Sequence, residues 1–386
     1  MSLSTQLCVL YWFTFFFCRR FSSPLQSCSM KEFLYKTSIS GLRKNLTIVV
    51  TSDIHGRLNH VPSLVSLTKS LRQEGPLLIV DAGDVAFGSS FTRRYGPAAV
   101  YQALDVVGFH AITLGNHDLD IPLESFKKSF PVLSVNVEKR GVIPSSISNV
   151  SGVIVGLIGY TISSNFSQSL VLKQILEEAK ELRYQKPIDV MVLLGHGGIE
   201  IDTYIAENSR GVVDIVFGGH SHVKSSCDGK WHTGDVVIHS GHHGETAAVV
   251  KVRMSSLGRT ISSKIVSLNV SEQQAVNTSG LTALASSTMS RQGSSNNSGS
   301  SKTAIAIDLG LNTTENVVSC RTEKCYTGHI ITSAIRAYYN CTPLVLFESG
   351  SIRDHFRAII TDENLEEIIP WENKMMLLRI PGEGQG

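Results

Sequence analysis

The chain lacks a charge bias. Its 386 residues carry 35 Lys and Arg against 33 Asp and Glu, a formal net charge of +2, and like charges do not run beyond a pair or two. A nucleic-acid binder shows a basic stripe, so that partner class is argued against. A long apolar run is missing as well. The N-terminal run Leu7–Cys18 holds about a dozen mostly apolar and aromatic residues, whereas a spanning helix needs roughly 20. No apolar tail closes the sequence, which leaves a lipid anchor without support. The seven cysteines form no CxxC pair, and this argues against thioredoxin or zinc-ribbon chemistry.

What is present is ordinary in bulk and unusual in detail. Hydrophobic residues make up 42% and charged residues 18% of the chain, the balance of a soluble globular protein long enough for two cores. The run Leu7–Cys18, followed by Arg19-Arg20 and small residues near Ser27-Cys28-Ser29, suits the apolar region of a signal peptide, although no basic residue precedes it. An uncleaved leader is the alternative. Sequons at Asn45, Asn149, Asn165, Asn269, Asn277, Asn296, Asn312 and Asn340 add modest support for secretion. Cys227 and Cys341 read as isolated thiols, while Cys320 and Cys325 are close enough to close a small loop.

Apolar, β-branched runs at Leu46–Thr51, Pro76–Gly83, Ala111–Leu114, Asp189–Leu194 and Asp214–Phe217 read as buried strands. Pro131–Val137 and Gly152–Ile158 read as two more, and Asp235–His239 with Ala247–Met254 as an antiparallel pair. Helical spacing marks Val61–Leu71, Gly96–Val107 and Leu170–Arg183. Strands alternating with helices mean a layered α/β domain. Residues 1–45 are read as leader, 46–270 as this domain, and 271–302, rich in Ser, Asn and Gly, as a linker. Residues 303–386 form a smaller second domain, expected to be incomplete, with strands Thr303–Ile307, Leu344–Phe347 and Lys374–Ile380, and helices Gly328–Tyr339 and Leu365–Ile369.

Five strand ends carry the chemistry. The first leads into Asp53-Ile54-His55, whose side chains, two apart on a strand, are expected to project together; the second leads to Asp84. The third opens into Gly115-Asn116-His117-Asp118-Leu119-Asp120, the fourth into Gly195-His196-Gly197-Gly198, the fifth into Gly218-Gly219-His220-Ser221-His222. The C-terminal edge of parallel strands is where α/β folds bind ligands. Asp53, His55, Asp84, Asn116, His196, His220 and His222 are hard or borderline N and O donors, the set that two divalent ions clamping an in-line displacement require. Asp84, alone at its strand end, is the candidate bridge. His117 can hold or give up a proton near neutral pH, and Asp120 would fix its ring from one helical turn away. Asp81 reads as a structural hydrogen-bonding group.

In this order the motifs resemble the calcineurin-like metallophosphoesterase family, and Gly115-Asn-His-Asp-Leu-Asp120 with a following C-terminal domain resembles its 5′-nucleotidase branch. The resemblance implies a four-layer α/β/β/α sandwich followed by a smaller, truncated α/β domain. It implies one divalent metal on Asp53, His55, Asp84 and His222 and a second on Asp84, Asn116, His196 and His220, with zinc or manganese as the ion. His117 and Asp120 become the catalytic pair, and Asn116 also touches substrate. Cys320-Arg321-Thr-Glu-Lys-Cys325 matches a segment whose cysteines are disulfide-bonded, and Ser349-Gly-Ser-Ile-Arg353 an Asn-x-Gly-Gly-x-Arg turn, which makes Arg321 and Arg353 substrate-binding arginines. Glu348 stands where the family has Asn. Phe356 and Trp371 read as core residues, and His60, His110, His232, His239, His242, His243, His329 and His355 as structural or surface histidines. The implied function is hydrolysis of nucleoside 5′-monophosphates by a secreted enzyme acting on a small phosphoester. The alternatives are a broader phosphomonoesterase, a cyclic-nucleotide phosphodiesterase, or a non-catalytic binding protein.

Overall fold

The computed structural model of the protein describes residues 44–125, 128–225, 236–255, 258–268, 307–308, 320, 324–339, 344–356, 359–360, 362–369 and 375–376. The leader before residue 44, the linker, Arg321, Trp371 and most of the expected strand Lys374–Ile380 lie outside them.

Two sheets stack face to face. The first runs β13-β12-β1-β2-β3-β4-β5 and the second β10-β11-β9-β8-β7-β6. In the first, β1 (Lys44–Thr51), β2 (Leu77–Asp81), β3 (Ala111–Thr113), β4 (Val132–Leu133) and β5 (Val142–Ile143) are parallel, and β12 (Thr246–Ser255) and β13 (Gly258–Ser267) add an antiparallel edge. In the second, β7 (Val153–Thr161), β8 (Val190–His196), β9 (Ile215–Gly218) and β11 (Val237–Ser240) are parallel, with β6 (Ser145–Val150) and β10 (Lys224–Ser225) antiparallel at the edges. The runs of continuous hydrophobicity follow from this layering: β1, β2 and β8 are covered on both faces, so neither face needs polar residues.

Three apolar clusters define four layers. Ile48, Val50, Leu78 and Val80 meet Val155, Leu157, Val192 and Phe217 between the sheets. Val49, Ile79 and Ile112 pack outward against α1 (Val61–Glu74), α2 (Ser90–Tyr95) and α3 (Pro97–Leu104). Ile158, Met191, Leu193 and Val216 pack on the other side against α4 (Gln168–Gln185) and α5 (Ile199–Asn208). Pro97 opens α3 at the position where a missing N–H costs nothing. Among the described residues no helix is long and apolar enough to cross a membrane.

The C-terminal segment is slighter. It has α6 (Tyr326–Tyr338), α7 (Asp362–Ile368) and a two-stranded ladder, β14 (Ile307–Asp308) with β15 (Ile359–Ile360). Its core is Ile331, Phe356 and Ile368, flanked by half-buried Ile330, Ile335 and Ile352. Cys320 and Cys325 are disulfide-bonded, with Cα atoms 5.0 Å apart.

Three expectations need correction. Residues 235–239 and 247–254 are not a hairpin: β11 pairs in parallel with β9, whereas β12 pairs with β1 and β13 in the other sheet. The turn Gly241–Glu245 carries the chain across between the layers, and left-handed Gly241 and Gly244 permit it. Leu344–Phe347 forms no strand among the described residues, and Leu344 and Leu346 are exposed. Asp53 and His55 do not share a strand face, because β1 ends at Thr51. They come together through a turn in which both take φ 51°.

Candidate metal centre

Each strand end delivers its donors by a local device. After β1, the backbone N–H groups of Asp53, His55 and Gly56 donate to the carbonyls of Gly83, Asp84 and Val85 (2.7–2.9 Å), so the loops after β1 and β2 are locked together. Asp81 sits beneath as a strut, accepting from Thr51 Oγ1 at 2.6 Å and from the Gly83 N–H at 2.9 Å. Gly115 is required by proximity: a Cβ there would collide with the Asp84 backbone N and Oδ1. The turn after β3 is a single 3₁₀ turn, Asn116–Asp118. Its buried carboxylate is Asp118, which accepts from the N–H groups of Gly115, Val85 and Ala86. Asp120 is exposed.

Seven donors converge. Ligand atoms of Asp53, His55 and His222 lie within 4.8 Å of one another, as do those of Asp84, His196 and His220. Asn116 Oδ1 is 3.0 Å from His220 Nδ1 and so extends the second group. Asp84 Oδ2 stands between the groups, 3.1 Å from His196 Nε2 and 3.8 Å from His55 Nε2. Two ligands on one tetrahedral cation at about 2.1 Å are about 3.4 Å apart. The observed edges match: 3.3 Å from His222 Nε2 to Asp53 Oδ1, and 3.2 Å from His55 Nε2 to His222 Nε2.

The tautomers are set from outside. His55 Nδ1 lies 2.6 Å from the Phe87 carbonyl and His196 Nδ1 2.6 Å from the Ala82 carbonyl. A carbonyl can only accept, so each Nδ1 carries a hydrogen, and in the neutral ring each Nε2 turns a lone pair inward, as metal-ligating imidazoles require. Asp53, His55 and His196 are fully buried and Asp84 nearly so. Burial pushes the His196 imidazole down, yet the Asp84 and Asp53 carboxylates overcome it and raise it to about 10. A pocket that draws positive charge this strongly, walled by N and O donors, fits divalent cations.

Backbone strain marks the same residues. Among the described residues the non-glycine positions at positive φ are Asp53, His55, Asp84, Ser151, His220, His222 and His243. Six of the seven belong to or adjoin this cluster, where each left-handed residue costs on the order of 1–3 kcal/mol.

The sequence did not reveal how near the C-terminal segment comes. Arg353 is buried, with Nη2 2.8 Å from His117 Nε2 and Nη1 3.3 and 3.4 Å from the Nε2 atoms of His55 and His222. Arg57, two residues past His55, holds the segment there through Asp354 Oδ2 (3.0 Å) and the carbonyls of Arg353 and Glu367. Glu348 is exposed and accepts from the Ser351 hydroxyl at 2.7 Å within its own turn. His242 and His243, expected to be structural or surface histidines, stand beside His222, with ring centroids 4.7 and 5.7 Å away. Their only sequence signal is position: they too follow a strand end, that of β11. His239 is buried against Asp202 at 2.9 Å, and Tyr160 donates to the same carboxylate.

Residues 46–224 match the calcineurin-like phosphoesterase family and residues 301–384 the 5′-nucleotidase C-terminal domain. Mouse 5′-nucleotidase is 32% identical over 217 residues, 46% of this chain and 38% of that protein. Human 5′-nucleotidase is 25% identical over 412 residues, 87% of this chain and 70% of that protein. The chain thus spans well under half the length of the mouse protein in their alignment. Among solved structures, a 5′-nucleotidase precursor from Thermus thermophilus superposes with a TM-score of 0.64 at 21% identity, covering 85% of this chain and 74% of that one. A 5′-nucleotidase from Candida albicans gives 0.53 at 16% identity, with 85% and 73% covered. Four layers and two family matches in this order agree: the chain carries a calcineurin-like phosphoesterase domain over residues 46–224, followed over residues 301–384 by a 5′-nucleotidase C-terminal domain.

Proposed function

We propose that the protein hydrolyses phosphate monoesters, with nucleoside 5′-monophosphates as substrates, using two divalent cations. The observation that carries this reading is the inward turn of the buried imidazole nitrogens of His55 and His196 around Asp53 and Asp84. One cation would be held by Asp53, His55, Asp84 and His222, the other by Asp84, Asn116, His196 and His220, with zinc favoured over manganese by the imidazole share of the set. Bound there, the ions supply positive charge to the phosphoryl oxygens and a water acidic enough to attack at neutral pH.

The chain's own groups do the rest. Arg353 donates N–H to His117 Nε2, so that nitrogen is an acceptor and the ring neutral. An incoming phosphoryl group is a better acceptor than imidazole, and the guanidinium transfers its hydrogen bonds to the phosphoryl oxygens. His117 Nε2 is then free to carry a proton and deliver it to the leaving oxygen, with Asp120 favouring the charged ring. Asn116 would orient the ester, and Arg321 would add a second guanidinium. The leader and the sequons favour an activity outside the cell, which N-terminal sequencing of secreted protein tests.

Phosphate release from AMP and from an aryl phosphate, measured on zinc- or manganese-loaded protein, tests the proposal. AMP should be cleaved, and Asp84→Asn should lower the rate at least ~10³-fold while reducing bound metal. A second reading, a broad phosphomonoesterase, is favoured by Phe356, which is packed in the C-terminal core and so withheld from a nucleobase. Cleavage of the aryl ester but not AMP would select it, and metal binding without turnover on either ester would sink both readings.

A further inference from the structure

His242 and His243 belong to neither cation group, yet with His222 they make a third cluster. Each offers a ring nitrogen within 4.8 Å of the other two. The rings of His242 and His243 stand 4.4 Å apart, centroid to centroid. His243 is 6% exposed, and its Nε2 is buried without a hydrogen-bond partner among the described residues, as is His242 Nδ1. Two imidazole nitrogens buried side by side and unsatisfied are costly to keep. Simple packing would be served better by apolar side chains, which predominate in the flanking strands β11 and β12.

The backbone holds this arrangement under strain. His243 takes φ 56° between Gly241 at 97° and Gly244 at 69°, and its N–H donates to the Asp53 carbonyl at 2.7 Å. The crossing turn between the sheets is therefore pinned to the first metal-ligand loop, and it presents both imidazoles to His222. The charges nearby are mixed: Asp53 and Glu245 favour a cation beside His242, while Lys224 opposes it.

We propose that His222, His242 and His243 form a third cation site, a three-imidazole zinc site adjoining the two proposed cations and sharing His222 with the first of them. Three imidazoles with an open fourth position suit zinc, and nothing in the trio supplies the oxygen ligands that manganese or magnesium prefers. Because His222 is shared, filling the third site draws a ligand from the first, and excess zinc slows turnover. This inference rests on the two-cation reading for the identity of the site that His222 serves.

Metal content after equilibrium dialysis, read by atomic emission on the full chain, tests it. With zinc the native protein should hold about three ions per chain and with manganese about two, and His242→Ala and His242→Asn should hold about two with either metal. His242 is the half-exposed member, so these variants spare the buried His243, and an unchanged thermal melt of the metal-free protein checks their fold. Turnover of the native protein should fall once zinc exceeds two equivalents, and that fall should vanish in both variants. A native zinc count of two, or variants that still bind three, overturns the third site. No manganese bound at all would instead overturn the two-cation reading beneath it.

Discussion

At the scale of single residues the site is a set of side chains held where they would not rest on their own. Asp53, His55, Asp84, His220 and His222 all take left-handed backbone, and all but His220 and His222 are sealed from water. Their identities were legible in the sequence because each stands at the end of an apolar run. Their conformations were not, since nothing in Asp-x-His distinguishes a strand face from a left-handed turn. Asp118 and Asp120 show the same limit: both lie in one motif, yet the fold buries the first on three backbone N–H groups and leaves the second exposed. His117 is the group assigned to move a proton. His117→Asn keeps a polar side chain of similar reach but cannot be an acid near neutral pH, so kcat should fall by about 10²–10⁴-fold with metal content unaltered. Steady-state kinetics beside metal analysis decide this, and an unimpaired kcat would remove His117 from the chemistry.

Elements differ in how plainly the sequence marks them, and the differences have physical causes. The long parallel strands announce themselves because they are buried on both faces. Helix α5 went unread because it begins directly after Gly197-Gly198, and its buried Asp202 interrupts the apolar face. The parallel placement of β11 could not be read because a short apolar strand carries no mark of its partner. At this scale the contact between the loop after β1 and the C-terminal segment makes a pH prediction. Burial pushes the Asp354 carboxyl up, but hydrogen bonds from His355 and Arg57 and the Arg57 charge outweigh it and hold the group well below the usual carboxylate range. A depressed folded pKa stabilises above the unfolded value of about 3.9 and loses that contribution as pH falls toward the folded value. The difference in melting temperature between the native protein and Asp354→Asn should therefore be flat from pH 8 to about 5 and shrink below about 4. A difference that persists unchanged at pH 2 would remove this ion pair from the stability of the docked segment.

For the whole molecule, the four layers explain why donors spread over some 170 positions can meet. Both sheets point the C-terminal ends of their parallel strands at one rim, so each new strand adds a loop to the same place. That convergence was legible from the order of the motifs alone. The approach of Arg353 was implied by the family resemblance and not by the motif order, because it depends on how a segment some 300 residues from Asp53 lies across the rim, which the contacts of Arg57 and of Arg353 itself fix.

Arg353 has a consequence for tempo. The side chain proposed to grip the phosphoryl group is buried against His55, His117 and His222, so in this arrangement the doorway and the handle are the same object. If admitting a phosphoester requires the segment to swing away, its release requires the same swing. If bond breaking is fast, turnover is paced by that swing, and thickening the solvent with sucrose should slow kcat roughly in proportion to viscosity. A kcat indifferent to viscosity would mean that chemistry, not the moving arginine, keeps the clock.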